Sequence, residues 1–266
     1  MSSDSIEILT LAQLAHGQDW RLTLCHDREA HMLIWITRGQ GLLQLDGQRR
    51  GLGTHNAVYI PARSLFSVEL GRQGFGQVLV IPDGSPLRLP QMPRHLRIRD
   101  VQAQTELTGL IEAAQREQQA RRPLFNDALE AHAALVSVWL RRQMMDEAHI
   151  PERRSAGARL SARFCQMVAD RYATGAPMAT YAEALDVTPT HLSRAVKAAT
   201  GKTAADILTE RVVHAARDLL MTSNHSAQDI ARHLGFGSAA YFTRYIQQHT
   251  GLPPSKLRPS KAALQD

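Results

Sequence analysis

Residues Ser226 to Arg258 read S-A-Q-D-I-A-R-H-L-G-F-G-S-A-A-Y-F-T-R-Y-I-Q-Q-H-T-G-L-P-P-S-K-L-R. Two short helices and a tight turn are written into this stretch. Ser226 followed by Asp229 has the spacing of a capping box at a helix start. Ile230, Ala231 and Leu234 then fall on one helical face. Gly235 is free to take the left-handed conformation that ends a helix, and Phe236 just beyond it folds back onto the apolar face. A second helix begins near Ser238. Its inward face is Phe242, Tyr245, Ile246 and His249, and its outward face carries Ala240, Thr243, Arg244 and Gln247. Gly251 and the Pro253-Pro254 pair stop it.

A short helix, a glycine turn and a second helix with a small, polar and basic outer face form the layout of a helix-turn-helix, whose second helix enters the major groove of DNA. An ordinary helical hairpin shares that layout, so the choice rests on the rest of the chain. Upstream, the sequence from about Ala204 to Met221 is a long amphipathic helix, with Ile207, Leu208, Val212, Ala215, Ala216, Leu219 and Leu220 as its stripe. At 1.5 Å per residue it is roughly 25 Å long, comparable to the ~34 Å of one DNA turn. Before it, M-A-T-Y-A-E-A-L-D-V-T-P-T-H-L-S-R-A-V-K-A-A-T-G repeats the opening plan. A short helix ends near Leu185, Asp186-Val187 turns, and a second helix runs from about Pro189 to Thr200, with Pro189 suited to a first turn. Leu192, Val196 and Ala199 face inward. Arg194 and Arg244 stand fifty residues apart in matching places. A further helix from about Leu160, with Phe164, Val168 and Tyr172 on one face, precedes this pair, after a linker rich in small and charged residues near Pro151.

Charge follows the same division. Residues 1–151 hold 16 basic and 16 acidic side chains, and residues 152–266 hold 15 and 9, which is the whole of the +6 excess. Lys197, Lys202, Lys256 and Lys261, the four lysines, all lie in the second half, as expected of a half that meets a polyanion. The chain has 266 residues, enough for two domains. No apolar run approaches a membrane span, and M-S-S-D-S-I-E does not read as a secretory signal. Cys25 and Cys165 are far apart and indicate neither a disulfide framework nor a cysteine zinc site, so a cytoplasmic location is expected.

The N-terminal half reads as short strands. R-L-T-L-C, H-M-L-I-W-I-T, G-L-L-Q-L-D, A-V-Y-I, F-S-V-E-L and F-G-Q-V-L-V-I are separated by turn signals such as Asp46-Gly47 and Gly39-Gln40-Gly41. Strands at that spacing predict a sandwich or small barrel. Along the second run His31, Leu33, Trp35 and Thr37 share one face and Met32, Ile34 and Ile36 the other; both faces are largely apolar, so either could look inward. His31, Trp35, Arg63 and Phe66 are the candidate pocket residues, with Arg63 suited to a carboxylate. His26, Glu29 and His31 lack metal-ligand spacing, and no metal or cofactor is expected. The Pro- and Arg-rich run from Asp83 to Arg99 reads as an extended connector. Helices follow from about Gln102 to Gln119 and from about Phe125 to Met145, the latter with Leu129, His132, Leu135 or Val136, and Trp139 at helical spacing. Such helices either cover the barrel or pair with a second copy; pairing is the preferred expectation.

The segment from about Leu160 to Arg258 resembles the double helix-turn-helix domain of the AraC/XylS family of bacterial transcription regulators. The resemblance is carried by T-P-T-H-L-S-R-A-V-K-A-A-T-G-K-T, R-V-V-H-A-A-R-D-L-L and I-A-R-H-L-G-F-G-S-A-A-Y-F-T-R-Y-I-Q-Q-H-T-G-L-P-P-S-K-L-R. The strand-rich half, with its G-x-G turn, D-G hairpin and I-P-A segment, resembles the cupin-type sensor domains of that family. The departures are Asp186 where glycine is usual, Val196 and Ile246 where phenylalanine is frequent, and Leu257 where an aromatic is frequent. Asp tolerates the left-handed conformation, so the first turn is expected to survive.

The expected fold is therefore α+β and multidomain: a cupin-like β-barrel with connector at 1–99, a helical dimerisation region at 100–150, a linker at 151–158 and an all-α double helix-turn-helix domain at 159–266. The resemblance implies a sequence-specific DNA-binding regulator, not an enzyme, acting as a ligand-responsive activator. The alternatives are a metal-dependent cupin enzyme with a DNA-binding tail, and a regulator whose barrel only dimerises. Implied partners are double-stranded promoter DNA, RNA polymerase, a small-molecule effector and a second copy of the chain. Base-reading positions fall on Thr190, His191, Ser193 and Arg194 with Lys197 nearer the backbone, and on Ala239, Ala240, Thr243 and Arg244. Lys202, Arg211 and Lys256 are expected to bond phosphates or to be solvated. Y-A-E-A-L-D-V-T-P-T-H-L-S-R is similar to regulators of aromatic-acid catabolism. The small Ala239 and Ala240 predict that the second head discriminates less than the first.

Overall fold

The computed structural model describes residues 5–146 and 154–258. The chain divides into two units, residues up to 23 with 27–155, and residues 24–26 with those from 156 onward. The start of the expected linker, at 151–153, lies outside the described residues.

The first unit begins with β1 (Glu7–Thr10), α1 (Leu11–Leu14) and α2 (Trp20–Thr23). Then come β2 (Ala30–Arg38), β3 (Gln40–Leu45), β4 (Gln48–Gly53), β5 (Asn56–Ile60), β6 (Phe66–Leu70), β7 (Phe75–Pro82) and β8 (Arg94–Arg97). Two antiparallel sheets result, one ordered β1-β7-β2-β5-β8 and one ordered β4-β3-β6. The Asp46-Gly47 signal acts as read: both residues have positive φ, 54° and 66°, and they join β3 to β4 with Leu45 opposite Gln48. Period-two alternation along β2 sends Met32, Ile34 and Ile36 into a core between the sheets, against Leu43, Leu45, Leu52, Phe66 and Val68. Leu33 and Trp35 point to the other side, where α3 (Val101–Ala120) and α4 (Phe125–Met145) lie on the five-stranded sheet. Both faces of β2 are therefore buried, which is why both read as apolar.

The helices take the covering role. Leu107 and Ile111 of α3 and Leu129, Val136 and Trp139 of α4 pack on Leu33, Trp35, Leu79 and Leu96. Of the alternatives at helical spacing, Val136 is buried and Leu135 is 52% exposed. The tryptophan N–H groups do not go unsatisfied: Trp139 Nε1 donates to the Ala103 carbonyl at 3.1 Å and Trp35 Nε1 to Thr108 Oγ1 at 3.1 Å.

Three expectations change. R-L-T-L-C is not a strand: Leu22 and Thr23 N–H groups both bond back to the Asp19 carbonyl, closing the short helix α2. The connector after Asp83 contains β8, an edge strand on β5, whose exposed Arg97 and partly exposed Arg94 suit an unpaired edge better than a run of apolar residues would. β4 is a strand without an apolar run to announce it: Q-R-R-G-L-G buries only Leu52 among its side chains.

The second unit is helical: α5 (Ala156–Arg171), a 3₁₀ turn at Tyr172–Thr174, α6 (Met178–Glu183), α7 (Pro189–Thr200), α8 (Ala204–Thr222), α9 (Ala227–His233), α10 (Ala239–Thr250) and α11 (Pro254–Leu257). Local chemistry explains the boundaries. Thr188, Thr203, Ser226 and Ser238 each accept a backbone N–H three residues on and start α7, α8, α9 and α10. Gly201 and Gly251 end α7 and α10 in the left-handed conformation. Ala215, Ala216 and Leu220 of α8 pack with Ile230, Leu234, Phe242 and Ile246.

Candidate nucleic-acid interface

α6–α7 and α9–α10 are two versions of one device. Asp186 (φ 57°) and Gly235 (φ 76°) make the left-handed bend after the first helix of each pair, so aspartate does serve where glycine is usual. Thr188 Oγ1 caps the His191 N–H at 3.2 Å, and Ser238 Oγ caps the Tyr241 N–H at 3.2 Å. At the far ends Thr200 Oγ1 donates to the Val196 carbonyl at 2.7 Å, and Thr250 Oγ1 to the Ile246 carbonyl at 2.7 Å. These equivalences align α7 with α10 at an offset of fifty residues. The bend-to-cap segment is one residue longer in the second pair, Gly235 to Ser238 against Asp186 to Thr188.

Leu192 and Val196 bury one side of α7, and Phe242 and Ile246 the same side of α10. Thr190, His191, Arg194 and Lys197 are exposed on α7, with Ser193 at the edge of the buried side. On α10 Ala240 and Arg244 are exposed, while Ala239 and Thr243 sit half-buried. The cap alignment puts Tyr241, not Ala240, opposite His191. Tyr241 is 52% exposed, and with Gln248 it was absent from the expected set although both lie within about 60° of Arg244 on a helix at 100° per residue. His249, expected inward, is exposed and touches Tyr245, with ring centroids 4.5 Å apart. Phe236 gathers Tyr241, Phe242 and Tyr245 around itself, at centroid distances of 5.8, 5.2 and 5.2 Å. The second head is thus built around an aromatic cluster; in the first, Tyr181 of α6 meets Phe164 of α5 edge-on, at a centroid distance of 5.9 Å.

Two basic residues expected at phosphates have other work. Arg211 is only 6% exposed, and its guanidinium lies 3.5 Å from the Tyr172 ring centroid, so it is an internal cation–π partner. Lys202 Nζ pairs with Glu210 Oε1 at 2.6 Å. Lys256 is exposed. At the start of α9 the Ser226 hydroxyl donates to Asp229 Oδ2 at 2.6 Å, holding that carboxyl below the ordinary aspartate range.

The four candidate pocket residues of the first unit are not brought together. Trp35 and Phe66 lie in the two different cores, on opposite sides of the five-stranded sheet. His31 and Arg63 do meet through Asp83, at 3.4 and 3.5 Å. Arg63 and Asp83, with Glu29, Glu130, Ser85 and Leu87, line an open cavity of about 450 Å³. The His31 tautomer follows from its neighbours. The Ala62 N–H donates to Nδ1 at 3.2 Å and Tyr59 Oη lies 3.0 Å from the same atom, so Nδ1 is the acceptor and Nε2–H faces Asp83. Burial lowers the His31 pKa and outweighs the opposing pull of Asp83. Among the described residues no three His, Cys, Asp or Glu side chains gather as a metal site.

A family model described as a helix-turn-helix domain matches residues 181–260, a span that takes in α7, α10 and α8 between them. Residues 181–260 are an AraC-type helix-turn-helix domain. A search of curated proteins returns no match. Among solved structures, the AraC-type domain is similar to the C-terminal domain of AraT, a response regulator from Geobacillus stearothermophilus. That likeness has 23% identity and a TM-score of 0.37, over 40% of this chain and 93% of the other. The DNA-binding domain of AdpA, solved with a target DNA, matches at 22% identity and a TM-score of 0.33, over 35% of this chain and 87% of the other. ToxT from Vibrio cholerae O395 matches at 11% identity and a TM-score of 0.42, over 96% of this chain and 97% of the other. At such scores no residue's role is taken from these likenesses. The fold class is that read from the sequence: an antiparallel-sheet N-terminal unit and an all-helical AraC-type domain. No described helix is long and apolar enough to cross a membrane.

Proposed function

We propose that this protein is a sequence-specific transcription regulator that reads promoter DNA with α7 and α10 as paired heads. One observation carries the reading: two capped helix-turn-helix devices, whose second helices are equivalent residue by residue, display Arg194 and Arg244 at the same outward position. In this reading Thr190, His191, Ser193 and Arg194 meet bases in one major-groove segment, with Lys197 at the backbone. Ala239, Ala240, Thr243 and Arg244, joined by Tyr241, meet the next. Arginine recognises guanine through a bidentate bond, and a good pair discriminates by about 1–3 kcal/mol. The test is selection of duplexes from a random pool by the full-length protein, followed by anisotropy titrations. Arg194→Ala is expected to lose about 1–3 kcal/mol on the selected site and to relax one base pair. Failure of the wild type to select any sequence ends the reading.

The finer parts of the proposal are a homodimer, a small-molecule effector and activation through RNA polymerase. Dimerisation is supported by α4, where Ala128, Ala131, Leu135, Val138, Arg142 and Met145 recur at alternating three- and four-residue steps on the side away from the sheet. Ala131, Leu135, Arg142 and Met145 are exposed, as is Leu124 just ahead of the helix. For the effector we favour the cavity of Arg63 and Asp83 over the space between the sheets, since the latter is filled by aliphatic side chains and Phe66. Thermal stabilisation by a panel of carboxylates and amines tests it, because a ligand of the folded state raises its stability.

A further inference from the structure

We propose that residues 171–175 brace the two heads against each other and set the spacing at which they engage DNA; this rests on the two-head reading above. α8 alone joins α7 to α9 through the non-helical segments 201–203 and 223–226, which leaves rotation available at either end. The segment that follows α5 removes that freedom through anchors on all three partners. On the first head, Tyr181 of α6 donates its hydroxyl to the Arg171 carbonyl at 3.0 Å. On the strut, the buried Arg211 of α8 lies over the Tyr172 ring at 3.5 Å. On the second head, Tyr172 and Ala173 pack on the cluster of Ile230, Leu234 and Phe242.

The fourth anchor is backbone against backbone. Gly175, just ahead of the first head, abuts Gly235, the bend of the second. Both are left-handed, at φ 68° and 76°. A Cβ on Gly175 would stand 2.2 Å from the Gly235 carbonyl oxygen, and one on Gly235 would stand 2.4 Å from the Gly175 nitrogen. Neither neighbour is a side-chain end that could swing aside, so any side chain here drives the heads apart. Gly251 supplies the control: its φ is also 76°, and a Cβ there meets nothing within 4 Å.

Spacing matters because each base pair added between half-sites shifts them by about 3.4 Å and turns them by about a tenth of a turn. The experiment is duplex selection with the full-length protein and with its Gly235→Ala, Gly175→Ala, Gly251→Ala and Arg211→Met variants. Anisotropy follows on the selected site and on sites with one base pair inserted or removed. The wild type should choose two half-sites at one spacing. Gly235→Ala and Gly175→Ala should keep the base preferences of each half-site while the affinity ratio between the selected spacing and its neighbours falls toward one. Gly251→Ala should keep the wild-type ratio. Arg211→Met releases the strut anchor without straining a left-handed residue, and it should lower the ratio even if the glycine variants fail to fold. A wild-type ratio in a folded Arg211→Met and in every folded glycine variant overturns the brace and leaves the two-head reading standing. A wild type that selects a single half-site overturns both.

Discussion

At the scale of single residues, the two kinds of basic side chain on α7 should separate by their salt dependence. Lys197 lies exposed three residues beyond Arg194 and ends the outward face. As a phosphate contact, Lys197→Ala should weaken binding alike on all sequences and lower the salt slope by about 1, whereas Arg194→Ala acts on one base pair. A second prediction concerns acid. His95 Nε2–H donates to the buried Asn56 Oδ1 at 2.7 Å, and burial, then Arg50 and Arg97, push its pKa down to about 4. An unfolded histidine titrates near 6.5, so the unfolded chain binds the extra proton first. The stabilisation is whole above pH 6.5 and declines as pH falls toward 4. At full weight the shift corresponds to roughly 3 kcal/mol, reduced by the ring's partly solvated edge. Urea unfolding at pH 7 and pH 5 should show the loss in the wild type and a smaller one in His95→Gln, which keeps a donor for Asn56. Residue positions were legible in the sequence where they depend on helical phase, as for the outward placement of Arg194 and Arg244. They were not where a tertiary partner decides: nothing local to Arg211 announces Tyr172, and nothing local to Trp35 and Phe66 says that a sheet separates them.

At the scale of elements, local punctuation carries most of the helical unit. Thr203 caps α8 through a full capping box, accepting the Asp206 N–H at 3.1 Å while Asp206 Oδ2 accepts the Thr203 N–H at 2.8 Å. Hydrogen bonding to its carboxyl from the Thr203 side chain, then from the Thr203 N–H, holds Asp206 below its ordinary range. Thr203→Ala should cost about 1 kcal/mol in denaturant unfolding, the usual weight of an N-cap. The Ser226–Asp229 pair that marks the start of α9 is equally local, which is why its spacing could be read. Strand pairing is not local. β8 became a strand only because β5 offered it an edge, and α2 displaced an alternating L-T-L pattern because two N–H groups found the Asp19 carbonyl first. On α4 the apolar Ala131, Leu135 and Met145 lie exposed on the side away from the sheet. Leu135→Glu, on its exposed side, should leave the melting temperature nearly unchanged and shift sedimentation from dimer to monomer; an unaltered dimer would place the contact elsewhere.

At the scale of the whole chain, the half-and-half charge division agrees with what each unit contains. The basic excess belongs to the unit with the AraC-type domain, and the balanced half to the sheets. The division also bears on how the molecule is dissected. The five-stranded sheet has no solvent face: Leu33, Trp35, Leu79 and Leu96 depend on α3 and α4 for cover. A fragment cut at residue 99, where the connector reads as a natural end, would bare this apolar wall and should precipitate or stick to itself. One carried through Met145 keeps its roof and should stay in solution. For proteolysis, domain swaps or work on the N-terminal half by itself, the smallest portable piece is therefore the two sheets with α3 and α4.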